Sequence, residues 1–120
     1  MKLFILITGI FEILVGVVMF AKPELIPQFA GASAIAIATA RMYGAAAISM
    51  GTFATMVARN FNRTEWHQLF LTVYLIFHTT VGAAILIAAS TGGDPSTGIL
   101  HAILAAVTGY FLYQLRAKSA

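Results

Sequence analysis

Apolar positions run almost unbroken through four stretches of the chain, roughly Leu3–Ala21, Ala32–Ala58, Trp66–Ser90 and Ser96–Leu115. Each is close to or longer than the ~20 residues that cross ~30 Å of hydrocarbon at ~1.5 Å per residue. The pattern predicts an all-α fold, a single integral-membrane four-helix bundle spanning the chain. The intervening residues fit that reading. Pro23 and Pro27 break the chain after the first helix. Asn62 followed by Glu65 reads as a capping box opening the third, with Trp66 at the interface. Thr91-Gly92-Gly93-Asp94-Pro95 reads as a tight turn, with Asp94 as N-cap and Pro95 at the first helical position. The connection Lys22–Gly31 carries Leu25, Ile26 and Phe29. It either lies along the surface and covers the bundle or is a plain connector touching headgroups.

Composition strengthens the membrane reading. Sixty per cent of the residues are hydrophobic and nine per cent charged, where a soluble domain carries about a quarter charged. A small soluble domain buries only about 60–70% of the area its unfolded chain exposes, too little to hide this much apolar surface. Lipid is the solvent. The net charge of +3 then calls for no nucleic-acid partner, because the basic residues sit mostly at helix ends. The 120-residue chain has no cysteine, which excludes disulfides, thiol catalysis, iron–sulfur clusters and cysteine-bound zinc. Met1-Lys2-Leu3-Phe4-Ile5 resembles the start of a signal peptide. The apolar run continues to Ala21, however, and Lys22-Pro23-Glu24 follows without a small-x-small cleavage site, which implies a retained first helix.

Loop charges orient the bundle. Lys2, Arg59, Arg63, Arg116 and Lys118 fall on one side, and Lys22 on the other beside Glu24 and Asp94. The positive-inside rule makes the side with both termini cytoplasmic.

Two charges fall well within predicted spans, Glu12 and Arg41. Each costs about 2.5–3.5 kcal/mol at mid-bilayer if left alone. Counted from the helix ends they share a depth of roughly 13 Å, so an ion pair is expected. Gly9, Glu12 and Gly16 share one helix face, and Arg41, Gly44, Ile48, Gly51 and Thr55 another. Small residues let membrane helices approach closely. Such a pair either locks the first helix to the second or takes part in function.

Histidine adds to this cluster. Counting places His78 roughly 18 Å deep and His101 ~7 Å deep, so that a polar ladder would run His101, Glu12/Arg41, His78. Tyr74, His78 and Gly82 share a face, as do Gly98, His101, Ala105 and Thr108. A depth difference of ~11 Å between the histidines argues against haem, and no ligand spacing diagnostic of a metal site is present. His67, next to Trp66, reads as an interfacial belt residue, as do Tyr110 and Tyr113. No P-loop, dinucleotide-binding glycine motif or nucleophile elbow occurs.

The segment Arg41-Met42-Tyr43-Gly44, followed by Gly51, together with the length and the four spans, resembles the DoxX-like superfamily of small bacterial membrane proteins. Its members often show a glycine-rich first helix, then Pro, then R-x-Y-G in the second helix. Gly9, Gly16, Pro23, Arg41, Tyr43 and Gly44 match that layout. The resemblance implies a four-helix membrane fold and, for some members, association with quinone-linked redox complexes. Glu12-Ile13-Leu14-Val15-Gly16 with Met19 and Lys22 also looks like the first helix of small multidrug transporters, which depend on one membrane glutamate. The chain departs from these in lacking their glycine-rich third-helix segment and their weak loop-charge bias, and in carrying Arg41.

The leading expectation is an accessory or lipophile-binding membrane subunit, not a catalyst alone. A quinone, isoprenoid or lipid would lie near Tyr43, Phe53, Tyr74 and Phe77, with Glu12, Arg41, Tyr43, Tyr74, His78 and His101 as the polar cluster. Partners would be the bilayer and further membrane subunits or copies of the chain. The alternatives are a proton-coupled transporter using Glu12, and a membrane enzyme with Glu12 and His78 as acid–base groups on a hydrophobic substrate.

Overall fold

A computed structural model describes residues 1–60, 64–90 and 92–117. Asn62 of the expected capping box, Thr91 of the expected turn, and the loop charges Arg63 and Lys118 lie outside the described residues. The chain forms four α-helices: α1 (Lys2–Ala21), α2 (Ala34–Arg59), α3 (Thr64–Ala89) and α4 (Ser96–Ala117). Two short 3-10 turns, Pro23–Leu25 and Pro27–Phe29, join α1 to α2. No strand occurs among the described residues. All four helices are long and apolar enough to cross a membrane.

Helix starts follow local capping chemistry. α2 begins two residues later than expected because Ser33 caps it, its hydroxyl accepting the Ala36 N–H at 3.3 Å. Before α4, the Asp94 carboxylate accepts the Ser96 N–H at 2.9 Å and the Ser96 hydroxyl at 2.7 Å. These bonds hold the Asp94 carboxyl below its ordinary pKa, the backbone N–H contributing most. Gly92 supplies the left-handed backbone this turn requires, at φ +108°.

The chain divides into two compact units, Met1–Phe61 and Asn62–Ala120. The first holds α1 and α2, packed antiparallel on glycine. Ile5, Thr8, Gly9, Glu12, Gly16 and Met19 form the buried stripe of α1. Ala40, Gly44, Ala47, Gly51 and Ala54 form that of α2, with Val57 and Ala58 also buried. A Cβ placed on Gly16 would stand 2.8 Å from the Gly44 carbonyl oxygen, and one on Gly51 2.5 Å from that of Gly9. Backbone therefore lies on backbone, as membrane helices require when no hydrophobic force drives them together. On the opposite side of α1, Leu3, Ile7, Ile10, Leu14 and Val17 are exposed and suited to lipid.

These contacts fix the helix register. Gly44 meets Gly16, Met19 and Phe20, and Gly51 meets Gly9 and Ile13. Counting outward from Gly44 along antiparallel helices, Arg41 comes level with about the end of α1, near Ala21, and Arg59 with about Leu3. The first turns of α2 thus extend past α1, beside the turn Pro23–Leu25, which packs on α2 and buries Pro23. Leu25 is exposed, while Ile26 and Phe29 are half-buried.

The second unit holds α3 and α4. His67, Phe70, Leu71, Tyr74, His78 and Gly82 mark the buried stripe of α3, and Gly98, His101, Thr108 and Leu112 that of α4. A Cβ on Gly82 would lie 3.3 Å from the His101 Cβ, and one on Gly98 would meet Leu86 and Ile85. Gly82 thus lets His101 close on α3.

Candidate functional site

Each unit carries ionisable groups at its buried helix faces. In the α1–α2 hairpin, Glu12 occupies the middle of the α1 stripe and is only 4% exposed. Its neighbours along the stripe, Gly9 and Gly16, are the residues that let α2 approach. Arg41 is exposed, and the glycine contacts set it well away from Glu12 along the helix axis. The expected pair is therefore corrected, for two physical reasons. The register places Arg41 about nine residues, or ~13 Å, along the axis from Glu12. The buried face of α2 also runs through Ala40 and Gly44, leaving Arg41 about 100° around the helix from Ala40. Arg41 thus comes level with the end of the 20-residue helix α1 and not with its middle. Tyr43 is half-buried on this hairpin.

In the α3–α4 hairpin the structure brings Tyr74, His78 and His101 together. His78 Nδ1 and His101 Nδ1 are 2.7 Å apart, a buried hydrogen bond between the helices. The expected ~11 Å difference in depth falls here to about one helical turn. The helix ends used for counting are not level, since Gly98 already faces Leu86 and Ile85. His101 lies against Gly82, one turn from His78 on the same face, and the two rings bridge that turn.

Aromatic rings wall the pair. The Tyr74 ring meets His78 edge-on with centroids 4.2 Å apart, and Phe77 lies 5.2 Å from His78 and 6.1 Å from His101. Phe70 stacks on Tyr74 at 4.8 Å. Tyr74 and His78 are fully buried, and His101 is 5% exposed. Sequence reasoning found the three polar members but not Phe70. The spacing of Phe70, Tyr74, Phe77 and His78, three and four residues apart, was the available signal.

His67 also departs from expectation. It is buried, at 3% exposure, on the same α3 face as Tyr74, and is not a belt residue. Trp66, Tyr110 and Tyr113 are exposed, as interfacial side chains are. Among the described residues no cluster of three or more His, Cys, Asp or Glu is placed to hold a metal ion. Chemically, the α3–α4 hairpin offers a hydrogen-bonding pair within aromatic walls, and the α1–α2 hairpin a buried carboxyl.

Comparison with protein-family models, with curated proteins and with solved structures found no match to this chain.

Proposed function

We propose that the chain is a multi-pass inner-membrane protein, both termini cytoplasmic, that binds a quinone-like lipophile as an accessory subunit of a membrane redox complex. The observation that carries this reading is the His78–His101 hydrogen bond flanked by Tyr74 and Phe77. Polar groups inside apolar helices are costly to keep and mark functional sites. A few convergent polar groups set among aromatic rings are what a lipophile with carbonyl or hydroxyl groups needs in order to be oriented. The Arg41-Met42-Tyr43-Gly44 resemblance points to the same setting. Its partners are then further membrane subunits or a second copy of the chain.

The test is titration of the protein in nanodiscs with a short-chain ubiquinone analogue. Saturable binding that falls at least tenfold in both His78→Ala and His101→Ala, with helicity retained, is expected. Binding unchanged in either variant, or no saturable binding at all, would overturn the proposal.

One observation favours a second reading. Glu12 is a carboxyl buried to 4% exposure within an apolar helix, the kind of group a membrane proton exchanger works through. A proton-coupled exchanger working through Glu12 would release protons into liposome medium on addition of lipophilic cations, and Glu12→Gln would abolish that release.

A further inference from the structure

We infer that His78 and His101 hold one proton between them and act as a proton-transfer pair. This deepens the lipophile-binding reading, because a quinone exchanges protons when it is reduced or oxidised, but it rests on the geometry of the pair alone. At 2.7 Å the two Nδ1 atoms are at hydrogen-bond distance. A bond of that length needs one donor and one acceptor, so one Nδ1 carries a proton and the other does not. Neutral imidazole carries a single proton. The ring that accepts at Nδ1 therefore holds its own proton on Nε2, and the two histidines are opposite tautomers.

The consequence is a directional step with a closed proton balance. A proton taken up at Nε2 of the donor ring makes that ring an imidazolium. The shared proton then crosses to the acceptor Nδ1, and the second ring releases its Nε2 proton. One proton enters at one ring, one leaves at the other, and the tautomers exchange. Water or the hydroxyl of a bound lipophile serves as donor, and water or a carbonyl oxygen as acceptor. No electron moves within the pair. The surroundings favour a shared proton over two charged rings, since both histidines are buried and a second charge in an apolar interior is costly. The titratable Tyr74 ring meets the pair edge-on at His78. Gly82 makes the arrangement possible by admitting the His101 backbone to α3.

The experiment is nitrogen-15 NMR of histidine-labelled protein in nanodiscs at neutral pH, without added quinone. The expected spectrum shows one Nδ1 of protonated type and one of unprotonated type, with a through-hydrogen-bond coupling between them. The coupling disappears in His101→Ala and in His78→Ala. Two Nδ1 atoms of the same type, or absence of the coupling in the wild-type protein, would overturn the inference. Quinone titration does not enter this measurement, so failure of the binding proposal and failure of the proton-sharing inference are told apart.

Discussion

Gly16 and Gly44 face each other backbone to backbone: a Cβ on either would stand 2.7–2.8 Å from the other's carbonyl oxygen. A Cβ on Gly44 would also meet the Phe20 nitrogen at 2.6 Å and the Met19 carbonyl carbon at 2.9 Å. Backbone cannot move aside without separating α1 from α2. Gly44→Ala should therefore destabilise the protein by about 2 kcal/mol, within the range for overpacked cores. Gly98 provides the contrast. Its added Cβ would meet Leu86 side-chain atoms at 2.8 and 3.0 Å, which a rotamer change relieves, so Gly98→Ala should cost less than about 1 kcal/mol. Unfolding in mixed micelles measures both. Equal losses would show that the α1–α2 contact is looser than described.

Asp94 sets a pH dependence whose sign follows from its hydrogen bonds. Its carboxyl is held below the ordinary value of 3.8, chiefly by the Ser96 N–H and then by the Ser96 hydroxyl. A depressed carboxyl contributes stability that is present above its unfolded pKa and is lost as pH falls through the lower folded value. The stability difference between wild type and Asp94→Ala should thus be full at pH 6 and shrink progressively below about 4. A difference that stays constant down to pH 2.5 would mean the cap does not act through its charge.

The four long apolar helices were legible because an apolar run of membrane length needs no tertiary information. The buried stripe of α1 was legible too, since Gly9, Glu12 and Gly16 stand out against large apolar neighbours. The face of α2 was not. Alanine fills so much of that helix that nothing marks Ala40 over Arg41 as its origin, and one residue of error turns the face by about 100°. The level of the helix ends was equally hidden. It depends on how the connection through Pro23 and Pro27 is accommodated, and on Gly98 meeting Leu86. That hidden level entered both depth comparisons, beside the turned face of α2 in one and the reach of the two rings in the other. One predicted a contact that is absent, and the other separated two histidines that touch.

The revised register changes the basis for orientation without changing its sign. Arg41 moves from the interior to the end of the first hairpin that carries Lys22. By sequence the opposing set remains Lys2, Arg59, Arg63, Arg116 and Lys118. The larger basic set should still face the cytoplasm. Reporter fusions at either terminus should behave as cytoplasmic. A periplasmic signal from the C-terminal fusion would reverse the proposed orientation or remove a span.

Glu12 and Arg41 supply the sharpest test of the α1–α2 register. Were they paired inside the membrane, deleting Arg41 would strand a buried carboxylate and cost about 3–5 kcal/mol, most of it recovered by adding Glu12→Gln. The structure places the guanidinium elsewhere, exposed and ~13 Å along the axis from Glu12 by the register count. Groups that far apart with no shared partner are additive to within about 0.3–0.5 kcal/mol. Arg41→Ala should accordingly cost less than about 1 kcal/mol, the loss of an exposed side chain at a helix end. Glu12→Gln should have its own effect on stability, the same in the presence and absence of Arg41. A double-mutant cycle on unfolding free energy in micelles reads the coupling directly. A coupling of about 2 kcal/mol or more would require the two side chains to meet. The glycine register that keeps them apart would then have to be redrawn by about two turns.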